Sequence, residues 1–395
     1  MRAENWLGGG RFEVAAIVGF SAVGALGLAA QPAIAAQFDA QLGLTAGQVG
    51  ALFTVEGLGG TLSSLLMLLR LRALSRSRMA LAAVLLFVAA NAASAAWLDY
   101  RLLLASRAAA GMAEGMLVVL SLSAAASMDN TDRVYGLWVI GQGGLGSLVL
   151  LALPALFSRF GLGGFYGGLA LVMLPMIPLV RGLSSRPPVP AATREAAPRA
   201  AGRRAQICAL LAATLCFYGC IGGVWAFAAN RGIAEGISGE TVTLLLAAAS
   251  GLGIAGALVA AWIGRTERRV AMILSGQCLL GVALFVLGEM PGAAPFGLSV
   301  ALVQLVWCFV APFLLALAAE LDPSGAVMAP LNLMLGSGLA GGPILVGTMI
   351  DRRGDVGQAA VMPALLLAVS LLLMLGLAVA RRMAWRNPRP SFPPN

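Results

Sequence analysis

Twelve apolar stretches, each about as long as a bilayer is thick, fill almost the whole 395-residue chain, so lipid is the solvent in which it folds. A helix that crosses hydrocarbon needs about 20 mostly apolar residues. The stretches read as spans at 14–35, 48–69, 79–98, 101–125, 134–157 and 162–181, then at 206–228, 241–263, 270–288, 294–318, 326–349 and 358–380. Between the sixth and the seventh lies the one long polar stretch, Arg181 to Gln206, rich in Arg and Pro. The expected fold is all-α and integral to the membrane, with twelve transmembrane helices in two bundles of six. The bundles take residues 1–182 and 206–382, with a linker at 183–205 and a tail at 383–395. Charged residues are only 11% of the chain, which would leave a soluble fold with almost no surface.

The formal net charge of +9 suggests nucleic acid until the positions are read. All 26 basic residues are Arg. If the N-terminus is cytoplasmic, twenty fall on the cytoplasmic side, five (Arg101, Arg159, Arg231, Arg352 and Arg353) on the other, and only Arg107 well inside a span. That bias orients membrane proteins by the positive-inside rule. It predicts both termini in the cytoplasm of a bacterial inner-membrane protein and no nucleic acid partner. Met1–Arg11 is short and polar and precedes a span too long for a signal peptide, with no obvious cleavage site, so the first helix is expected to stay.

Cys208, Cys216, Cys220, Cys278 and Cys308 all fall within spans, where a thiol acts as a small packing residue, and no disulfide is expected. The chain has no His, which removes the commonest general base and the Ser-His-Asp arrangement and leaves Cys216 and Cys220 a poor metal pair. No phosphate-binding loop is present to couple ATP. Neither an enzyme, a metal nor a cofactor is expected, and the chain is read as a monomer.

The halves echo each other. Gly43-Leu-Thr-Ala-Gly-Gln-Val, running into Glu56-Gly-Leu-Gly, parallels Gly236-Ile-Ser-Gly-Glu-Thr-Val, running into Ser250-Gly-Leu-Gly. Each copy opens the second helix of its half, and each helix exits into an Arg-rich turn. Such repeats build transporters around a site near the midplane. Together with Arg107-Ala-Ala-Ala-Gly111-Met-Ala-Glu114-Gly115 in the fourth span, and Gly338-Leu-Ala-Gly-Gly-Pro343-Ile-Leu-Val-Gly347 then Asp351-Arg-Arg-Gly at the eleventh, they make the chain resemble the major facilitator superfamily over roughly residues 12–382. Two features depart from the family pattern. No acid lies between Arg70 and Arg78, and Gly141-Gln-Gly-Gly-Leu-Gly lacks the Pro that many drug/proton antiporters carry in helix five.

Charges inside spans are costly and mark function by default. Glu56 lies about eight residues, and Arg107 about seven, inward from the same face, so both sit about 11 Å deep. Matched depth allows an ion pair whose making and breaking would load and release a proton. The bland reading is a permanent structural salt bridge. The corresponding position of the repeat is Ser250, so the fold does not require an acid there. Glu114 stands two turns beyond Arg107, about 10 Å along the axis. The family resemblance puts helices one, four, seven and ten around a cavity, which favours Glu114 as a substrate or proton ligand; otherwise it is a carboxyl bonded to a neighbouring helix. A weak alignment of span ten on span four sets Gln304 opposite Gly111 and Trp307 opposite Glu114. Tyr218 and Trp225 of span seven would line the facing wall, the alternatives being packing for all four and interfacial anchoring for Trp225.

What the resemblance implies is a secondary transporter, coupled to protons, that moves a small organic molecule by alternating access, with Arg107 and the aromatics leaning toward an organic or aromatic carboxylate. Efflux of amphipathic or cationic compounds on Glu56 and Glu114 is the second reading, and a non-transporting membrane sensor the third.

Overall fold

The computed structural model describes residues 10–70, 76–125, 128, 131–183, 201–264, 266–322, 326–354 and 360–386. The turn after the second span, Asp129, most of the expected linker and the end of the tail lie outside them. Every described element is helical. The order is α1 (Arg11–Gly24), α2 (Leu26–Leu42), α3 (Ala46–Arg70), α4 (Arg76–Ala96), α5 (Tyr100–Ala125), α6 (Thr131–Met173), a 3-10 stretch (Leu174–Leu183), α7 (Ala201–Ala234), α8 (Gly239–Ile263), α9 (Arg269–Glu289), α10 (Ala293–Leu321), α11 (Met328–Arg353) and α12 (Val361–Arg386).

Eleven continuous helical runs among the described residues are long and apolar enough to cross a membrane, where twelve spans were expected. The difference is one run, Gly136–Leu183, whose 48 residues far exceed the roughly 20 that a bilayer needs. It contains both expected spans, 134–157 and 162–181, and breaks between them at Gly161, with φ 60° and ψ −160°. Its neighbours trace the reversal. Gly141 packs on Val18, Gly146 on Ala29 and Gly161 on Gln41, after which Gly182 lies back beside Ala16 and Phe12. The chain climbs along α1 and α2, turns where only Gly adopts the required backbone, and returns.

The first run, Arg11–Leu42, is continuous in sequence but divided at Ala25 into α1 and α2. At the far end Gly43 takes a left-handed conformation, and α3 begins with a reciprocal cap: Thr45 Oγ1 accepts from Gln48 N at 3.3 Å while Gln48 Oε1 accepts from Thr45 N at 3.0 Å. That is the Thr-x-x-Gln capping box.

Close approach of helices in lipid depends on small residues, and α3 uses them on two sides. On one it meets α5, where a Cβ at Gly111 would stand 1.8 Å from the Glu56 carbonyl and one at Gly115 2.1 Å from the Gly60 carbonyl. On the other it meets α11: a Cβ at Gly50 would clash with the Pro343 carbonyl at 2.5 Å, and one at Gly347 with the Ala46 carbonyl at 2.2 Å. The repeated Gly-Leu-Gly packs alike in both copies, since Gly59 faces Ala108 of α5 and Gly253 faces Gln304 and Cys308 of α10.

Contacts between the first six and the last six spans run through α2 on α7, α3 on α11 and α6 on α8, whereas α5 and α10 do not pack on each other among the described residues. One end is tightly sealed. There Asp351 Oδ2, at the last turn of α11, accepts from Thr45 Oγ1 at 2.7 Å and Gly47 N at 2.9 Å, a carboxylate on the positive N-terminus of α3. About two turns further along α3, Thr54 donates to the Ala340 carbonyl at 2.6 Å.

Candidate functional site

Because Gly111 lets α5 lie directly on the backbone of Glu56, side chains of the two helices meet at short range. Arg107 Nη1 donates to Glu56 Oε1 at 3.1 Å, with Arg107 1% and Glu56 8% exposed. The rest of the guanidinium is enclosed by polar groups of α4: Nη2 donates to Asn91 Oδ1 at 3.0 Å and to Ser94 Oγ at 2.8 Å, and Nε to the same hydroxyl at 3.2 Å. Asn91 is aimed by its own amide, which donates to the Phe87 carbonyl at 2.9 Å. The ring of Tyr166, from the returning part of α6, lies 4.2 Å from the guanidinium carbon, a cation–π contact.

Arg107 is therefore held by one carboxylate, one amide, one hydroxyl and one aromatic face. A charge alone at this depth costs about 2.5–3.5 kcal/mol on insertion scales. The cage offsets that cost, and it also leaves Arg107 little to offer a ligand. Arg107 and Glu56, the two in-span charges matched by depth, do meet; whether their role is substrate binding or ion coupling is a separate question.

Glu114 is half-buried and carries no hydrogen bond or ion pair among the described residues. Its carboxyl converges on Glu56 through a third helix. A Cβ placed on Gly27 of α2 would have Glu114 Oε1 and Glu56 Oε1 each at 3.4 Å. Gly27 thus faces two carboxyls, one paired with Arg107 and one open, and a methyl there would just touch both.

Of the four candidates from the last six spans, Trp225 reaches the neighbourhood of the acids through α2. Tyr218 is buried at 2% exposure, edge-on to Phe217 with centroids 5.4 Å apart, and packs where Gly338 of α11 makes room for it. Gln304 is buried against Gly253 of α8, and Trp307 is half-buried. Trp225, 1% exposed, is no interfacial anchor in this structure: its Nε1 donates to the Leu28 carbonyl of α2 at 3.0 Å, one residue from Gly27.

Sequence reasoning missed Tyr166, Ser94 and Gly27. Tyr166 sits in a glycine-rich return stretch with no periodic signal, and a single glycine in a chain with fifty does not announce itself. A cleft of about 330 Å³ lined by Asp39, Thr45, Val49, Phe227, Asn230 and Asp351 opens at the sealed end. Its lining residues on α2, Ala35 and Asp39, lie about 12 to 18 Å along the helix from Gly27 by residue rise.

The described helices thus form a membrane-spanning bundle with glycine-packed contacts between its halves and a buried charged cluster beside them. The family model of the Major Facilitator Superfamily matches residues 14–343, and the chain belongs to that superfamily. Among solved structures, a point mutant of a peptide transporter POT is similar at TM-score 0.74 and 16% identity, covering 94% of each chain. The nucleoside transporter NupG is similar at TM-score 0.73 and 11% identity, covering 94% of this chain and 99% of its own. A bacterial homolog of the human lysosomal transporter Spinster, in an inward-facing and occupied conformation, reaches TM-score 0.65 at 16% identity over 94% and 96%. At these identities the likeness is one of fold. A comparison with curated protein sequences gave no match.

Proposed function

We propose that the protein is a proton-coupled secondary transporter of a small organic molecule, in which bundles 1–182 and 206–382 rock about the α2–α7 and α3–α11 contacts. The observation that carries the coupling is Glu114: an in-span carboxyl with no partner, beside a second carboxyl already neutralised by Arg107. An unpaired acid at this depth is a proton site or a cation site. Glu56 is its partner in exchange, because a proton on Glu56 would release the Nη1 donor that Arg107 now gives it. With the termini cytoplasmic, as the Arg distribution expects, the end closed by Asp351 on Thr45 and Gly47 is the outer one.

The surroundings of Arg107 bear on the substrate. With four of its five N–H donors given to Glu56, Asn91 and Ser94 and its charge set against the Glu56 carboxylate, the charge left open in the cluster is that of Glu114, so the geometry favours a substrate that is cationic or amphipathic with hydrogen-bond donors. An organic carboxylate is the second reading, favoured by one specific route: protonation of Glu56 would free Arg107 Nη1 for it, tying carboxylate binding to the proton.

Thermal stabilisation of the purified protein by a panel of carboxylates and lipophilic cations, at two pH values, separates the two. Stabilisation by cations that is lost in Glu114→Gln and kept in Glu56→Gln supports the first. Stabilisation by carboxylates that strengthens in Glu56→Gln supports the second. A panel without effect on any of the three proteins contradicts a binding site at this cluster.

A further inference from the structure

Pro32 lies inside α2. A proline in a helix interior has no N–H for the carbonyl four residues back, and that carbonyl belongs to Leu28. A bare carbonyl in a dry interior is expensive. Here it is satisfied from across the molecule, by Trp225 Nε1 at 3.0 Å. The indole belongs to α7, in the other half of the chain, and is 1% exposed. Leu28 in turn adjoins Gly27, against which both Glu114 and Glu56 place an Oε1, and Ala25, where α1 gives way to α2, lies just before.

We infer that Trp225 is a positioning residue that latches the second half of the chain to α2 through the carbonyl Pro32 leaves open, one residue from Gly27, which faces Glu56 of α3 and Glu114 of α5. α2 then stands between two loads. Its Gly27 face bears on the carboxyls, and its Leu28 carbonyl bears on the other bundle. A change at the acids that shifts Gly27 by a fraction of an ångström is felt at the latch, because an N–H···O bond weakens steeply as its distance and angle depart from ideal. The inference rests on the rocking-bundle reading above and adds to it the residue through which one bundle holds the other closed. Ordinary core packing would need the bulk of the indole alone; the latch needs its N–H.

The test reads opening at the sealed end. Val49 lines the cleft there at 2% exposure, so a Val49→Cys protein in nanodiscs is treated with a polar maleimide and labelling at that site is followed by peptide mass spectrometry. Adding Trp225→Phe, which keeps a ring and removes the N–H, should raise the labelling rate about three- to ten-fold, the shift expected for one lost hydrogen bond. In a Pro32→Ala background, where residue 32 supplies the N–H that Leu28 lacks, the same substitution should leave the rate unchanged. No increase in the first background overturns the latch, and so does an equal increase in both, which would point to ring packing. Should Pro32→Ala not fold, benzothienylalanine at 225 keeps the bicyclic shape without the N–H, and an unchanged rate with it overturns the proposal. Labelling needs neither substrate nor gradient, so failure here is separate from failure of proton coupling.

Discussion

Arg107 makes four hydrogen bonds to three side chains and lies over a tyrosine ring, which leaves it a poor free ligand and a good anchor. Removing it would strand Glu56, 8% exposed, and the breaking of a buried pair costs about 3–5 kcal/mol. Arg107→Ala should therefore melt well below the wild type in detergent, Glu56→Gln only moderately below, because a neutral amide holds Nη1 more loosely than the carboxylate without stranding a buried charge, and Glu114→Gln close to it. An Arg107→Ala protein that melts with the wild type would show that the cage contributes nothing. Counting residues from the span ends was enough to match the depths of Glu56 and Arg107. Depth carries no rotation, so it does not single out Asn91, Ser94 or Tyr166 as the groups that enclose the guanidinium. Trp225 was legible as an aromatic near one end of its helix, but its partner is a backbone carbonyl, which no side-chain pattern reveals.

Among the helices, α3 is packed closely on two sides while Leu58, Leu62 and Leu66 leave a third exposed. Glycines let it touch the backbone of α5 at Gly111 and that of α11 at Gly50 and Gly347. A methyl at Gly111 would sit 1.8 Å from the Glu56 carbonyl, and since that atom is backbone the helices must part. Gly111→Ala is expected to cost about 1–3 kcal/mol as overpacking and to loosen the ion pair. Gly251 has nothing within 4 Å of its Cβ position, so Gly251→Ala should be neutral or stabilising by up to about 1 kcal/mol from helix propensity. Thermal melts of the two variants check both; equal behaviour would mean that close approach at Gly111 is not what holds α3 to α5. The repeated Gly-Leu-Gly was visible in the sequence. That its last glycine rather than its first packs alike in both halves was not, because only the structure distinguishes a glycine that admits a neighbour from one that faces lipid.

At the scale of the whole molecule, the apolar run lengths carried most of the fold: the spans, the two groups of six and the superfamily. They located both the fifth and the sixth span but not their continuity, since Gly161 reverses the chain without the polar loop that usually marks a turn. Run lengths also say nothing of which end is closed. The seal depends on Asp351, Thr45 and Gly47 meeting across 304 residues or more of sequence. At that scale the proposed transport cycle turns on three features of the described residues: the contacts at one end, the Glu56–Arg107 pair beside Glu114, and the Trp225–Leu28 bond between the halves.

The most direct test of that account is proton movement in sealed proteoliposomes loaded with a pH-sensitive dye, recorded on adding compounds from the thermal-shift panel to wild type, Glu56→Gln and Glu114→Gln. The account predicts that a stabilising compound drives a proton flux in the wild type and none in Glu114→Gln, with flux also lost in Glu56→Gln although the compound still binds. Undiminished compound-driven proton flux in both variants would contradict it and take the acid cluster out of the coupling mechanism.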